Sequence, residues 1–334
     1  MRPLPTPVLP TLLAATALVL AGCGAERADD ATATATGGGQ AGVTVLAGFY
    51  PLEFVAARVG GERVTVSSLT PPGVEAHDLE LSPRDVAGVG DADLVVYLQG
   101  FQPAVDDAVA QEAPDSSLEV GAVAGLDLEP AADHSHDEDA HDEDAHGDDA
   151  HDEDADEHDE TGADPHFWLD PTKLAKVADA TADRLSDLDP EGAAEYRDNA
   201  ASLTADLGAL DEEIDEALST CETRTMVVSH EAFGYLAERY DLEQVGIAGL
   251  TPDDEPSAAQ MADLVRFVDD NDVRTVYYET LVSPEVAETI AAEAGAETAV
   301  LDPLEGLTDG AAGSDYLEVM RANLAALQAG QPCP

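Results

Sequence analysis

Nine histidines occur in the 334 residues, and they fall into two groups. His134, His136, His141, His146, His151 and His158 stand in an acidic stretch that reads HDEDA, HDEDA, HGDDA, HDEDA from His136 onward. Imidazole is the commonest metal-binding side chain and carboxylates add oxygen ligands, so this tract reads as a weak, multivalent metal binder. An acidic linker would need no histidine returning at every fifth position. That period builds no stable face on a helix of 3.6 residues per turn, and the repeat has nothing larger than alanine to bury. Residues 133–162 are therefore expected to be a disordered loop.

The other three histidines stand alone. His77 follows a turn in Pro71-Pro-Gly-Val-Glu-Ala-His-Asp78, His166 lies in Asp164-Pro-His-Phe-Trp-Leu-Asp-Pro171, and His230 ends a Val-Val-Ser run. Each sits beside a strand end or a helix start, where ligands bind in open α/β sheets. Asp302, after the Ala-Val-Leu strand, would meet the same crevice from the second half of the chain, with Glu279 or water as alternatives. Three imidazoles and one carboxylate suit tetrahedral Zn²⁺, whereas Mn²⁺ prefers more oxygen ligands. Glu75, Asp78 and Glu231 are near enough in sequence to orient the imidazole rings.

The elements that must position these residues alternate strand and helix. Val43–Ala47, Arg63–Leu69, Asp93–Tyr97 and Ser117–Val120 read as strands, with helices over Leu52–Val59, from Ser82-Pro83, and over Phe101–Gln111. The second half repeats the style. Its strands are Thr225–Ser229, Leu242–Ile247, Thr275–Tyr278 and Thr298–Leu301; its helices are Glu231–Tyr240, Pro256–Asp270, Pro284–Ala294 and Tyr316–Ala329. Between them, Leu174, Val177, Ala178 and Leu185, then Leu203, Leu207, Leu210, Ile214 and Leu218, keep helical spacing, broken near Asp189-Pro190. The expected fold class is α/β, with two βα lobes of parallel-type sheet joined by a long helical element and a metal site in the cleft.

The chain's ends carry further information. An apolar run from Val8 to Leu20 follows Arg2 and is too short to span a bilayer comfortably, so residues 1–22 read as a signal peptide. Leu20-Ala-Gly-Cys23 resembles the bacterial lipobox, which makes Cys23 the expected lipidation site, and residues 23–42 a tether rich in Ala, Thr and Gly. With Cys23 assigned, Cys221 and Cys333 form an even pair outside the cytoplasm and are expected to be disulfide-bonded. The formal net charge of -57 argues against nucleic acid and anionic membrane surfaces as partners. It also suggests adaptation to high salt, where screening weakens self-repulsion. The expected organisation is an N-terminal lobe at 43–132, the loop at 133–162, a linking helical segment at 163–219 and a C-terminal lobe at 220–334.

Four motifs, Pro71–Asp78 with Ser82-Pro-Arg-Asp85, Pro165–Pro171, Ser229–Leu236 and Leu301–Leu307, together resemble the zinc-specific solute-binding lipoproteins of metal ABC importers. The resemblance covers nearly all of residues 43–333. It implies two βα lobes bridged by a long backbone helix, metal ligands at His77, His166 and His230, and a fourth ligand that is a carboxylate or water. It also implies a His-rich acidic loop near the site, like residues 133–160, and a preference for zinc over manganese because His230 stands where manganese-binding relatives carry a carboxylate. The expected function is capture of zinc outside the cytoplasm and delivery to an ABC permease, by a monomer held to the membrane only by its lipid anchor. The alternatives are a metal-buffering or adhesive lipoprotein, or a manganese-binding relative. An enzyme is not expected: the chain has no His-Glu-x-x-His helix and no evident general base beside the three histidines.

Overall fold

Apolar and β-branched runs bounded by turns form two four-stranded sheets, all of whose pairs are parallel. In the computed structural model, residues 42–128, 163–252, 256–308 and 310–333 are described. Cys23, the expected signal peptide and tether, and all six tract histidines lie outside the described residues.

The first sheet holds β1 (Val43–Ala47), β2 (Val64–Ser68), β3 (Leu94–Tyr97) and β4 (Ser117–Glu119) in the order β2-β1-β3-β4. The second holds β5 (Thr225–Val228), β6 (Glu243–Gly246), β7 (Thr275–Tyr278) and β8 (Glu297–Val300) in the matching order β6-β5-β7-β8. Val43 pairs with Val64 in one sheet and Thr225 with Glu243 in the other. In each sheet the order reverses at the first strand, so a crevice opens beyond the strand C-termini.

Helices cover both sheets. The first half carries α1 (Tyr50–Gly60), α2 (Pro83–Asp91), α3 (Pro103–Glu112) and the single turn α4 (Gly121–Ala124). Ser82 caps α2 in a reciprocal box with Asp85, with Pro83 at the first helical position, where its missing N–H costs nothing. The linking segment is two helices, α5 (Pro171–Leu188) and α6 (Ala193–Leu218), packed on each other. The second half carries α7 (Gly234–Arg239), α8 (Ala258–Asp270), α9 (Glu285–Ala294) and α10 (Tyr316–Gly330). α7 begins three residues later than expected. The Ala232 N–H turns back to the His230 carbonyl and the Phe233 N–H goes to the Gln244 side chain, so the chain is not yet helical there.

The break at Pro190 is stabilised by Asp189, which accepts hydrogen bonds from Arg63 and from the Tyr196 hydroxyl. α6 packs against both α1 and α10 and is the long backbone helix between the lobes. Its stripe Leu203, Leu207, Leu210, Ile214 and Leu218 is fully buried in one hydrophobic core that includes residues of both sheets. The outer sheet faces have separate cores, around Val89, Val95 and Val105 in the first lobe and Val227, Val276 and Ile290 in the second. Parallel sheets need this cover on both faces. Cys221, just after α6, is disulfide-bonded to Cys333. Among the described residues no helix is long and apolar enough to cross a membrane.

Candidate metal centre

The loop after β2 carries His77, the segment before α5 carries His166, and the end of β5 runs directly into His230. These three loops meet at one point with a fourth residue, Glu305, from the loop after β8. One ligand atom from each of His77, His166, His230 and Glu305 lies within 4.8 Å of the others. Glu305 Oε1 is 3.3 Å from His77 Nε2, 3.2 Å from His166 Nε2 and 3.1 Å from His230 Nε2. The two Nε2 atoms of His166 and His230 are 3.4 Å apart. A tetrahedral ion with bonds of about 2.0–2.1 Å has ligand–ligand edges of about 3.3–3.4 Å, so these four separations suit one, while the full set spreads to 4.8 Å.

Two of the rings are oriented from behind by carboxylates. His166 Nδ1 donates to Asp164 Oδ1 at 2.8 Å, and His230 Nδ1 donates to Glu279 Oε1 at 2.7 Å. With Nδ1–H engaged, Nε2 is the atom left to bind a metal. Aromatic rings wall the other side: Phe101 meets His77 edge-on with ring centres 4.7 Å apart, and Trp168 lies 5.2 Å from His166. The His166, His230 and Glu305 side chains are fully buried, and His77 alone is partly open, at 9%.

The carboxylate in the cluster is Glu305, not the expected Asp302. Asp302 Oδ1 accepts from the Leu304 N–H, its Oδ2 accepts from the Thr280 hydroxyl, and its own N–H donates to Asn323 of α10. Asp302 thus builds the turn that presents Glu305. Leu304 adopts a left-handed φ of 61° while fully buried, and the Trp168 indole N–H pins the neighbouring Pro303 carbonyl. Glu279, the alternative fourth ligand, instead orients His230. Of the acids near the histidines in sequence, Glu75 accepts the His77 peptide N–H, Asp78 is exposed and Glu231 packs over Gly246. The only local signal near Glu305 is the Asp302-Pro303 pair after a strand, which marks a turn without saying which later residue faces the cleft.

Charge in the site is strongly coupled. Burial would raise the Glu305 pKa, but hydrogen bonds from His166, His230 and His77 hold it well below the usual carboxylate range. Burial works against a charge on His230, yet its hydrogen bonds to Glu279 and Glu305 push it up to about 10. His166 is raised in the same way, against its burial, by Asp164 and Glu305. His77 is lowered, by burial first, with the charges of His166 and His230 adding to it. Glu75 is pushed up to about 9 by burial and by the adjacent Glu305. These shifts favour protonated His166 and His230 beside an ionised Glu305 when no metal is bound, while His77 is pushed toward the neutral form. One oxygen of Glu279 remains buried without a hydrogen-bond partner, and Glu75 packs against Glu305, so the site gathers more negative groups than its own cations balance.

A family model described as "Zinc-uptake complex component A periplasmic" matches residues 45–330. The chain is 34% identical over 290 residues to the high-affinity zinc uptake system protein ZnuA of Bacillus subtilis (strain 168), covering 85% of this chain and 86% of that protein. It is 34% identical over 294 residues to the zinc-binding lipoprotein AdcA of Streptococcus pneumoniae serotype 4, covering 86% of this chain but only 55% of that longer protein. Among solved structures, the Zn(II)-bound ZnuA-like domain of S. pneumoniae AdcA superposes with a TM-score of 0.69 at 32% identity, covering 86% of this chain and 98% of that one.

Proposed function

The chain belongs to the zinc-uptake complex component A family, and on that premise we propose that it captures Zn²⁺ outside the cytoplasm and hands it to an ABC permease. The observation that carries this reading is the convergence of His77, His166, His230 and Glu305 on one buried point. Three neutral imidazole nitrogens and one carboxylate form a closed, borderline-soft set that matches Zn²⁺ as cargo. Zinc binding requires the protons on His166 and His230 to leave, so capture releases protons and is favoured by rising pH. Glu305 supplies the negative charge that balances the ion, while Asp164 and Glu279 keep the imidazoles aimed.

Delivery to a permease is helped by holding the protein at the membrane. Lipidation of Cys23, behind a cleaved signal peptide, supplies that anchor, and the protein acts as a monomer with the tether giving it reach. Residues 133–160 act as an accessory that binds further zinc ions more weakly. If the chain were instead a metal buffer in which this tract is the principal binder, removing the tract would abolish tight binding. The deciding experiment is a zinc titration of the purified protein with residues 133–160 deleted, beside His77→Ala and His230→Ala in the full chain. Retained tight 1:1 binding after deletion, with loss in the two histidine variants, is the expected result. The reverse pattern would overturn the reading.

A further inference from the structure

The Asp164 carboxylate that orients His166 is itself held by groups that touch none of the imidazoles. Its Oδ1 accepts from the His166 peptide N–H at 2.9 Å as well as from Nδ1. Its Oδ2 lies against Gly234, the first residue of α7, where an added Cβ would overlap that oxygen. Gly234 is not among the glycines with left-handed φ, so space rather than backbone freedom accounts for a glycine here. The Asp164 N–H donates to the Leu128 carbonyl at 3.0 Å. Leu128 and Asp127 in turn donate their N–H groups to the Tyr235 hydroxyl at 3.4 and 3.2 Å. Lys173 donates to the Gly125 carbonyl at 2.6 Å and to Asp127 Oδ1 at 2.7 Å, and its ammonium stands 4.7 Å from the centre of the Tyr235 ring. Asp127 is largely exposed, so this ion pair adds little stability. Its geometric consequence is larger, because it fixes the segment 125–128 to which Asp164 is hydrogen-bonded through Leu128.

We propose that Gly234, Tyr235 and Lys173 form a clamp that positions His166 against His230. The inference rests on the reading of His166 as a zinc ligand. Gly234 and Tyr235 lie four and five residues after His230, so seating Asp164 on Gly234 bolts the two ligand-bearing segments together. Lys173 and Tyr235 fix residues 125–128, to which the Asp164 N–H is hydrogen-bonded. All three are positioning residues, since none reaches the ion.

The test uses the full chain with Gly234→Ala, Lys173→Met, Lys173→Arg and His166→Ala. The measurements are zinc affinity by chelator competition, the visible absorption of the cobalt-loaded protein, and the melting temperature without metal. Gly234→Ala and Lys173→Met are expected to weaken zinc binding about 10-fold or more, the scale for losing an outer-shell partner, and to alter the cobalt bands. Without metal, Gly234→Ala should melt at or modestly below the parent, because the added Cβ crowds Asp164 while alanine is the better helix former. Lys173→Arg should recover most of the affinity. Should Gly234→Ala fail to fold, the Lys173 pair decides alone. Parent-like affinity and cobalt bands in both variants would overturn the clamp, as would an affinity loss matched by a melting loss with unchanged bands. Parent-like binding by His166→Ala would instead overturn the zinc-site reading itself.

Discussion

His77, His166, His230 and Glu305 differ in how firmly each is held, and that difference sets what substitution should do. His166 and His230 are buried and backed by Asp164 and Glu279, whereas no carboxylate backs His77 within the described hydrogen bonds, and its side chain is the only partly exposed one of the four. On the proposed reading, replacing any of these four residues, for example by His166→Ala or Glu305→Gln, is expected to weaken zinc binding by more than the roughly 10–100-fold that removal of an outer partner costs. Glu279→Gln should fall within that smaller range; chelator-competition titrations would rank them. The pH dependence follows from the raised His230, at about 10, and Glu75, at about 9. Both groups hold protons more tightly in the folded, metal-free protein than in the unfolded chain. Their contribution to metal-free stability is therefore present below the unfolded pKa and declines as pH rises through these values. Zinc, which displaces the imidazole protons, should bind more tightly over the same range. The gap in melting temperature between zinc-loaded and metal-free protein should thus widen from about pH 6 to about pH 9. A gap that stays constant or narrows would count against histidine ligation.

At the scale of elements, the loop after β8 shows how local structure decides which carboxylate reaches the cleft. Asp302 and Glu305 are both buried acids in one short segment. Asp302 spends its oxygens on Leu304 and Thr280, and Asn323 brackets its backbone from α10 through two hydrogen bonds. That bracing holds Leu304 in a left-handed conformation that costs about 1–2 kcal/mol for a residue with a Cβ. Asp302→Ala should release the turn, costing about 1–3 kcal/mol for the donors left unpaired. It should also weaken zinc binding, though less than Glu305→Gln does. Chemical denaturation and a zinc titration on the same variant separate the two effects. If Asp302→Ala lost as much affinity as Glu305→Gln, Asp302 would have to be regarded as a ligand.

At the largest scale, the described residues form two similar sheets linked through α5 and α6, with a core that includes residues of both lobes. A disulfide spanning a sequence separation of 112 ties the chain's end back to the start of the second lobe. Cys221→Ser with Cys333→Ser is expected to lower stability by about 2–5 kcal/mol, read by denaturant unfolding, while leaving zinc affinity nearly unchanged. The bridge lies at the C-terminal end of α6 and holds no ligand. The net charge of -57 should make stability rise with ionic strength, as counterions screen repulsion among the acids. A melting temperature indifferent to salt between low and molar concentrations would refute adaptation to high salt.

The periodicities of the chain were enough to determine its architecture. Strand runs such as Val43–Ala47 and Thr225–Val228 and the leucine stripe of α6 carry their own signals, because alternation and helical spacing are local properties. The three single histidines were legible as well, since each stands next to an element boundary that the sequence marks. What the sequence left open was which acids face the cleft. Asp302 and Glu279 both end strands and looked equivalent to a ligand, yet one closes a turn and the other supports an imidazole. Glu305, three residues farther on, becomes the cluster's carboxylate only because Leu304 turns left-handed and Trp168 and Asn323 hold the loop from other elements. Those partners are 137 and 18 residues away in the chain, respectively. A side chain's direction is set by packing among such distant groups, and no local pattern encodes it.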